Sequence, residues 1–242
     1  MKILSAYEKA RVYIEKHSEE DIKLQKRRQN PGPIITISRE TGVGANAICN
    51  KLVDYLNNFS IKDYNDWTYF DKDLINKVME DHNLPSHFKK YLEEEKVPRI
   101  EGWFSEILGI SPSKISLLHK TSKTILRIAE FGDAIIIGRG ANIILANHPK
   151  TFHIRLVAPE NFRIENAMEL YGIDRKTAAE FIRKEDLARK DFISKYFHKN
   201  IEDPLSYHVT INTNLLKPGE IAEMIGHCVI KRFSQFFELQ ED

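Results

Sequence analysis

Cysteine is almost missing from this sequence: among 242 residues there are two, Cys49 and Cys228. That excludes a fold stapled by several disulfides, and no Cys/His spacing suggests zinc. Both lie in apolar, helix-like stretches and are expected to be reduced core thiols of a reducing compartment, a disulfide or a metal pair being the alternatives. Net charge is nearly missing too. Thirty-six Lys and Arg against 35 Asp and Glu leave +1, so the overall balance demands neither nucleic acid nor an anionic membrane. Long apolar runs are absent. No stretch of about 18 apolar residues exists, so no transmembrane helix is expected. The opening MKILSAYEKARVYIEK has neither the apolar core nor the small-residue cleavage site of a signal peptide. These absences point to a cytoplasmic protein. What is there is ordinary for a globular chain: 42% hydrophobic and 29% charged residues, enough to bury one large α/β domain or two small ones.

Ile3, Tyr7, Ala10 and Ile14 recur at helical spacing, which predicts an amphipathic helix over residues 3 to 17. A charged tract follows and includes Lys26-Arg27-Arg28, either a solvated face or a partner or nucleic-acid contact. Asn30-Pro31-Gly32-Pro33 breaks any helix. A boundary is therefore placed near residue 30: residues 1–30 as an N-terminal helical extension, residues 31–242 as the main domain. The extension's apolar stripe needs a cover, either the domain itself or a second copy in a homodimer.

Beyond the boundary, short apolar runs alternate with longer helical patterns. Strands are expected at 34–38, 68–70, 134–137, 152–157 and 208–211, with helices at 45–56, 113–130, 159–169, 175–196 and 218–237. Strands separated by helices imply crossover connections, hence a parallel sheet of about five strands between helical layers. Ligands of such sheets bind beyond the carboxyl ends of the strands.

The turn after the first strand reads Ser38-Arg39-Glu40-Thr41-Gly42-Val43-Gly44-Ala45-Asn46. A strand, a glycine-containing turn and a helix present backbone N–H groups to a phosphate. Gly42 and Gly44 permit positive φ and close backbone approach. Set against G-x-x-x-x-G-K-[ST], Gly44 holds the second glycine position, but Arg39 stands at the first, Ala45 at the lysine and Asn46 at the hydroxyl. The lysine of a full loop neutralises β/γ-phosphate charge and the hydroxyl binds magnesium. Losing such a clamp costs about a few kcal/mol of transition-state stabilisation. Arg39 is the nearest substitute cation; alternatively it pairs with Glu40 or another acid and only shapes the turn.

With Ile34-Thr36-Ile37-Ser38-Arg39-Glu40 and Gly42 and Gly44, the chain resembles the opening of the cytidylate-kinase-like family, whose loop also lacks the lysine. Tyr69-Phe70-Asp71-Lys72-Asp73-Leu74-Ile75, Ile136-Ile137-Gly138-Arg139-Gly140-Ala141, Asp186-Leu187-Ala188-Arg189 and Tyr207 to Thr213 look like further segments of it, in order. The resemblance spans residues 34 to 226. It implies a three-layer α/β P-loop kinase fold with helical substrate-binding and lid regions, the lid near 183–205. It also implies transfer of a phosphoryl group from ATP, with Mg2+, to a nucleoside monophosphate, CMP or dCMP. Nucleotides are the partners it implies; no nucleic acid and no membrane are expected. The family usually has another Gly where Ala45 stands and often Arg where Asn46 stands.

Gly42, Val43, Gly44, Ala45 and Asn46 are thus the expected nucleotide-binding residues. Arg139 follows a buried strand and should emerge at the sheet's carboxyl edge, where a guanidinium grips a phosphate bidentately; a helix cap or a surface ion pair is the alternative. Members that phosphorylate cytidylate carry G-R-D here, so the ribose contact implied for that Asp is lost at Gly140. Asp71 is either a helix N-cap or, with Lys72, an acceptor contact. Asp186 and Arg189 are i, i+3 neighbours in a dense charge cluster on a helix, either a solvated face or a lid. As a lid, Arg183 and Arg189 would close over transferred charge beside Arg39, with Asp186 on the substrate and Lys195 and Lys199 behind. No metal ligands are assigned, and none of the nine histidines has a base–nucleophile arrangement. The competing functions are a catalytically weak or inactive nucleotide-binding regulator that retained the fold, and a kinase for a different small acceptor, since Gly140 alters the substrate side.

Overall fold

The computed structural model describes residues 30–61, 67–71 and 112–238. The predicted helix at 3–17, the rest of the extension before Asn30, and Lys72 lie outside the described residues. Five strands form one sheet: β1 Ile34–Arg39, β2 Thr68–Phe70, β3 Ala134–Ile137, β4 Thr151–Val157 and β5 Val209–Asn212. The helices are α1 Ala45–Phe59, α2 Pro112–Phe131, the single turn α3 Ala141–Ile144, α4 Glu160–Tyr171, α5 Arg175–Phe197 and α6 Pro218–Arg232. All strand pairs are parallel, in the order β2-β3-β1-β4-β5. β1 is therefore central, with Ile37 opposite Ile137 of β3 on one side and Ile154 of β4 on the other. The chain's crossovers diverge on either side of β1, so a crevice opens at its carboxyl end.

Alternation along the strands sorts their side chains between two helical layers. Ile35, Ile37, Ile135, Ile137, Ile154 and Leu156 pack against Ile48, Leu52 and Leu56 of α1 and Ile221, Ile225 and Val229 of α6. Ile34, Phe70, Ala134 and Ile136 face Ile125, Ile128 and Ala129 of α2. Each Ile, Leu, Val or Phe among them, fully buried, contributes about 1.5–3 kcal/mol. The α4–α5 hairpin has a small cluster of its own, built on Ile164, Ala167, Ala178 and Ile182.

β4 breaks the apolar rule on one face. Thr151, His153 and Arg155 are buried there beside Thr36 and Ser38 of β1. Their polar atoms meet one another: Thr36 Oγ1 lies 2.7 Å from His153 Nδ1, and Arg155 Nη1 donates to Ser38 Oγ at 3.0 Å. The Tyr207 hydroxyl also donates to Ser38 Oγ, at 3.2 Å. Burial, and then the nearby His208 and Arg232, push the His153 imidazole down to about 4, so it stays neutral.

Two expectations need correction. Cys49 is a buried core thiol, pushed up to about 12 by burial, but Cys228 is exposed on the outer face of α6. Apolar neighbours in sequence do not share a helix face. The helix expected to run from Pro218 to Phe237 ends at Arg232; Ser234–Phe236 forms a 3-10 turn. The chain bends so that Phe233, Phe236 and Phe237 are buried, Phe237 stacking on Trp67 with ring centroids 6.2 Å apart.

Candidate active site

Two adjacent strand ends set up the site. β1 ends at Arg39, and Gly138 after β3 donates its N–H to Ile37 O at 2.9 Å, which brings the Gly138-Arg139-Gly140 turn alongside. Arg39 lies across that turn: a Cβ on Gly138 would fall 2.0 Å from Arg39 Nη1. Above both, α5 contributes Glu185, Ala188, Arg189, Phe192 and Ile193. Together with Ser38, Arg139, Gly140, Asn142 and Ile201 they enclose a cavity of about 220 Å3.

Arg39, Arg139 and Arg189 all line this cavity, with Glu185 the one carboxylate among its described lining residues. Burial, and then the Arg189 charge, lower the Arg39 guanidinium to about 10. Asp71 and Glu185 oppose that shift from a distance. It remains charged at neutral pH. Among the described residues, no carboxylate lies within ion-pair distance of Arg39. Glu40, its sequence neighbour, turns instead to Arg163 Nε at 3.4 Å and accepts from the Ala158 N–H at 3.0 Å. A half-buried cation so placed favours an anionic guest.

The glycine turn has the expected backbone, with φ of 84° at Gly42 and 75° at Gly44. A Cβ at Gly42 would lie 2.4 Å from Arg163 O, so a side chain is barred there on two counts. Val43 is buried in the core, while Gly44 and Asn46 are exposed and Ala45 is half-buried. Gly44 caps α1 in the left-handed conformation without a side-chain cap, leaving the first-turn N–H groups at the surface.

Asp186 is drawn to this turn rather than to the cavity. Its Oδ1 accepts from the Thr41 N–H at 2.8 Å and the Thr41 hydroxyl at 2.7 Å, and its Oδ2 from Arg163 Nη1 at 2.5 Å. Arg189 Nη1 donates to Asp186 Oδ1 at 3.0 Å and also bonds the Thr41 hydroxyl. Arg163 further donates to Thr41 O at 3.2 Å and Ala158 O at 3.0 Å, and Asn166 Nδ2 donates to Gly42 O at 2.7 Å. The turn is thereby tied to both helices of the hairpin.

A second cleft, of about 330 Å3, lies between the turn and the hairpin. Arg39 and Arg189 line it as well as the first cavity, so the two spaces share two guanidinium groups. Arg183 stands at this cleft, exposed and paired with Glu160 at 2.7 Å. Of the two lysines placed behind the lid, Lys195 lies in the last turn of α5, and Lys199 lines a separate hollow with His153 and His208.

Sequence reasoning passed over Thr41, Arg163, Asn166, Arg155 and the aromatic pair Phe192 and Phe197. Arg155 carried a signal, a charge inside the apolar strand Thr151–Val157. Arg163 carried none, being one more charge on a charged helix.

A family model described as the cytidylate kinase-like family matches residues 34–215. Among solved structures, an uncharacterized protein from Eubacterium ventriosum has a TM-score of 0.59 at 21% identity, over 84% of this chain and 98% of that one. A shikimate kinase from Bacteroides thetaiotaomicron has a TM-score of 0.45 at 13% identity, over 84% and 98% of the two chains. A uronate isomerase from Corynebacterium glutamicum is 25% identical over 99 residues, which is 41% of this chain and 19% of that protein. The chain thus spans about a fifth of the length of that curated relative. No helix among the described residues is long and apolar enough to cross a membrane.

Proposed function

The chain belongs to the cytidylate kinase-like family, and on that premise we propose that it transfers the γ-phosphoryl group of ATP to a nucleoside monophosphate, CMP or dCMP. The observation that carries this reading is the convergence of Arg39, Arg139 and Arg189 on one cavity beside the phosphate turn. In the proposed reaction an oxygen of the acceptor phosphate bonds to the γ-phosphorus while the bond to the β,γ-bridging oxygen breaks, giving ADP and a nucleoside diphosphate. Little covalent chemistry is asked of the protein; positioning and charge neutralisation do most of the work. Arg139 at the strand end would hold the acceptor phosphate. Arg39 and Arg189, lining both spaces, are suited to the charge that builds between donor and acceptor. The apolar wall of Phe192 and Ile193 would bound the acceptor's body.

Two features support ATP phosphates at the turn: its glycines have positive φ, and a Cβ on Gly44 would meet nothing within 4 Å, leaving open space for an approaching oxygen. Magnesium would enter with the nucleotide and neutralise phosphate charge, as in other sites of this kind. Asn46, at the hydroxyl position of a full loop, would offer it an amide oxygen.

A second reading, a weak or inactive nucleotide-binding regulator, is favoured by Ala45 in the lysine position and by the Thr41 hydroxyl, which is engaged by Asp186. One experiment separates the two: ADP release coupled to a chromogenic readout, with ATP and magnesium, across all ribo- and deoxyribonucleoside monophosphates. Turnover above the acceptor-free background with CMP or dCMP supports the kinase. ATP binding without turnover on any acceptor supports the regulator.

A further inference from the structure

A hollow of about 420 Å3 lies beside α3, under the segment that joins α5 to β5. That volume is in the range of small-molecule sites. Its described lining holds no carboxylate, while Lys199 stands there as a cation. No described residue bonds or pairs with the Lys199 ammonium or the Asn142 amide, both of which line it. His208 adds a donor. Its Nδ1 accepts from the His153 N–H at 2.9 Å, so the neutral ring carries its proton on Nε2, which no described residue accepts. His153 is used up: Thr151 Oγ1 gives its proton to His148 O at 2.8 Å and so accepts from Nε2 at 3.3 Å, while the Thr36 hydroxyl donates to Nδ1. Asp203, to which Ser206 Oγ donates at 3.4 Å, is engaged as the cap of the 3-10 turn Pro204–Ser206 through the Leu205 N–H at 3.0 Å. Burial first, and then the Arg232 charge, lower the His208 imidazole, so the field at the hollow is positive before any ligand enters.

We propose that this hollow binds a small organic carboxylate, the carboxylate meeting Lys199, His208 Nε2 and Asn142, and the apolar body lying against Ile143, Ala146 and Leu205. Leu205 is 92% exposed, so an apolar guest beside it removes surface that the fold leaves in water. One lining cation and no lining acid balance one negative charge, which suits a carboxylate better than a phosphate dianion. The site goes beyond the kinase reading and does not rest on it. It adjoins the arginine cavity all the same. Asn142 lines both spaces, and Tyr207 of the hollow donates to Ser38 Oγ at 3.2 Å and to Ile201 O at 2.8 Å, two residues of that cavity.

Calorimetric titration of the full chain with sodium benzoate tests this, with benzamide as its uncharged counterpart. Benzoate should bind saturably, and benzamide at least about tenfold more weakly. Lys199→Met keeps the stem and removes the charge, and should weaken benzoate at least about tenfold. Ala146→Phe fills the hollow and should abolish binding. Both positions are exposed, so neither change disturbs the core. Arg139→Ala should leave benzoate affinity unchanged, which separates this hollow from the arginine cavity. The proposal is overturned by absence of saturable benzoate binding, by equal binding of benzamide, by indifference to Lys199→Met or Ala146→Phe, or by loss of binding in Arg139→Ala. Inorganic phosphate that binds as tightly as benzoate, with the same dependence on Lys199, rejects the carboxylate class. None of these readouts uses turnover, so the kinase reading stands or falls separately.

Discussion

The Phe197 ring rests on the backbone of Gly140: a Cβ at position 140 would fall 2.6 Å from Phe197 Cε2 and 2.8 Å from Cζ. Phe197 in turn meets Phe192 edge-on, ring centroids 5.8 Å apart, and Phe192 lines the arginine cavity. The last turn of α5 and the turn after β3 are therefore fitted to each other at the wall of that cavity. Gly140 also holds a left-handed φ of 71°. Gly140→Asp, which restores the G-R-D of the resemblance, should destabilise the protein by about 2–4 kcal/mol, overpacking and strain together. Phe197→Ala should relieve part of that loss in the double variant, as a thermal-denaturation cycle would reveal; strict additivity would mean that the two positions are independent.

Among the described residues, no carboxylate stands within ion-pair distance of the Arg39 guanidinium. Arg39→Ala should lower kcat/KM at least tenfold, about 1.4 kcal/mol of transition-state stabilisation. The same change should leave the unfolding free energy unchanged or raise it by up to about 1 kcal/mol, because a desolvated cation is removed. Urea melts and steady-state kinetics on one preparation measure both. A fall in stability together with unchanged kinetics would make Arg39 structural.

Arg163 joins α4 to the glycine turn and to α5 through Thr41 O, Ala158 O, Glu40 and Asp186. Its side chain is 11% exposed, so little water replaces these contacts. Arg163→Ala should cost about 2–3 kcal/mol by chemical denaturation, because charged acceptors are left short of donors. Arg163→Lys should recover less than half, since an ammonium cannot span the same acceptors as a fork.

His153 sets an acid limit. Its pKa is about 4 in the fold against 6.5 unfolded, lowered first by burial and then by His208 and Arg232. The unfolded chain therefore binds more protons between these values, and stability rises with pH across that window. The contribution is complete above pH 6.5 and is lost as pH falls toward 4. Discounted for solvent screening, it amounts to roughly 1–2 kcal/mol. His153→Gln should flatten the pH dependence of the melting temperature between pH 6.5 and 4; an unaltered slope would place the acid sensitivity elsewhere.

Much of the architecture was legible in the residue order. Runs such as Ile34-Ile35-Thr36-Ile37 and Ala134-Ile135-Ile136-Ile137 are β-branched and apolar on both faces, as a central parallel strand must be. Ile48, Leu52 and Leu56 recur at the spacing of one helix face, and α1 buries all three. Gly42 and Gly44 foretold positive φ because the local sterics of the backbone are a property of the residue itself. Strand ends are local as well, so where the apolar runs stop gave the places of Arg39 and Arg139 at the carboxyl ends of β1 and β3.

Pairings across the chain were not legible. Asp186 looked like a partner for Arg189 or a substrate, and it is both the partner of Arg189 and the ligand of Thr41, 145 residues away. Arg39 and Glu40 are adjacent in sequence and point to different neighbours, because successive residues at a strand end leave on opposite sides. Cys228 reads as core from its apolar neighbours and is exposed. The sequence by itself determined which segments form strands, helices and the glycine turn, since period and backbone preference act over a few residues. Only the tertiary structure decided which charges meet, because the order β2-β3-β1-β4-β5 and the seating of the α4–α5 hairpin set distances between groups that chain order leaves free.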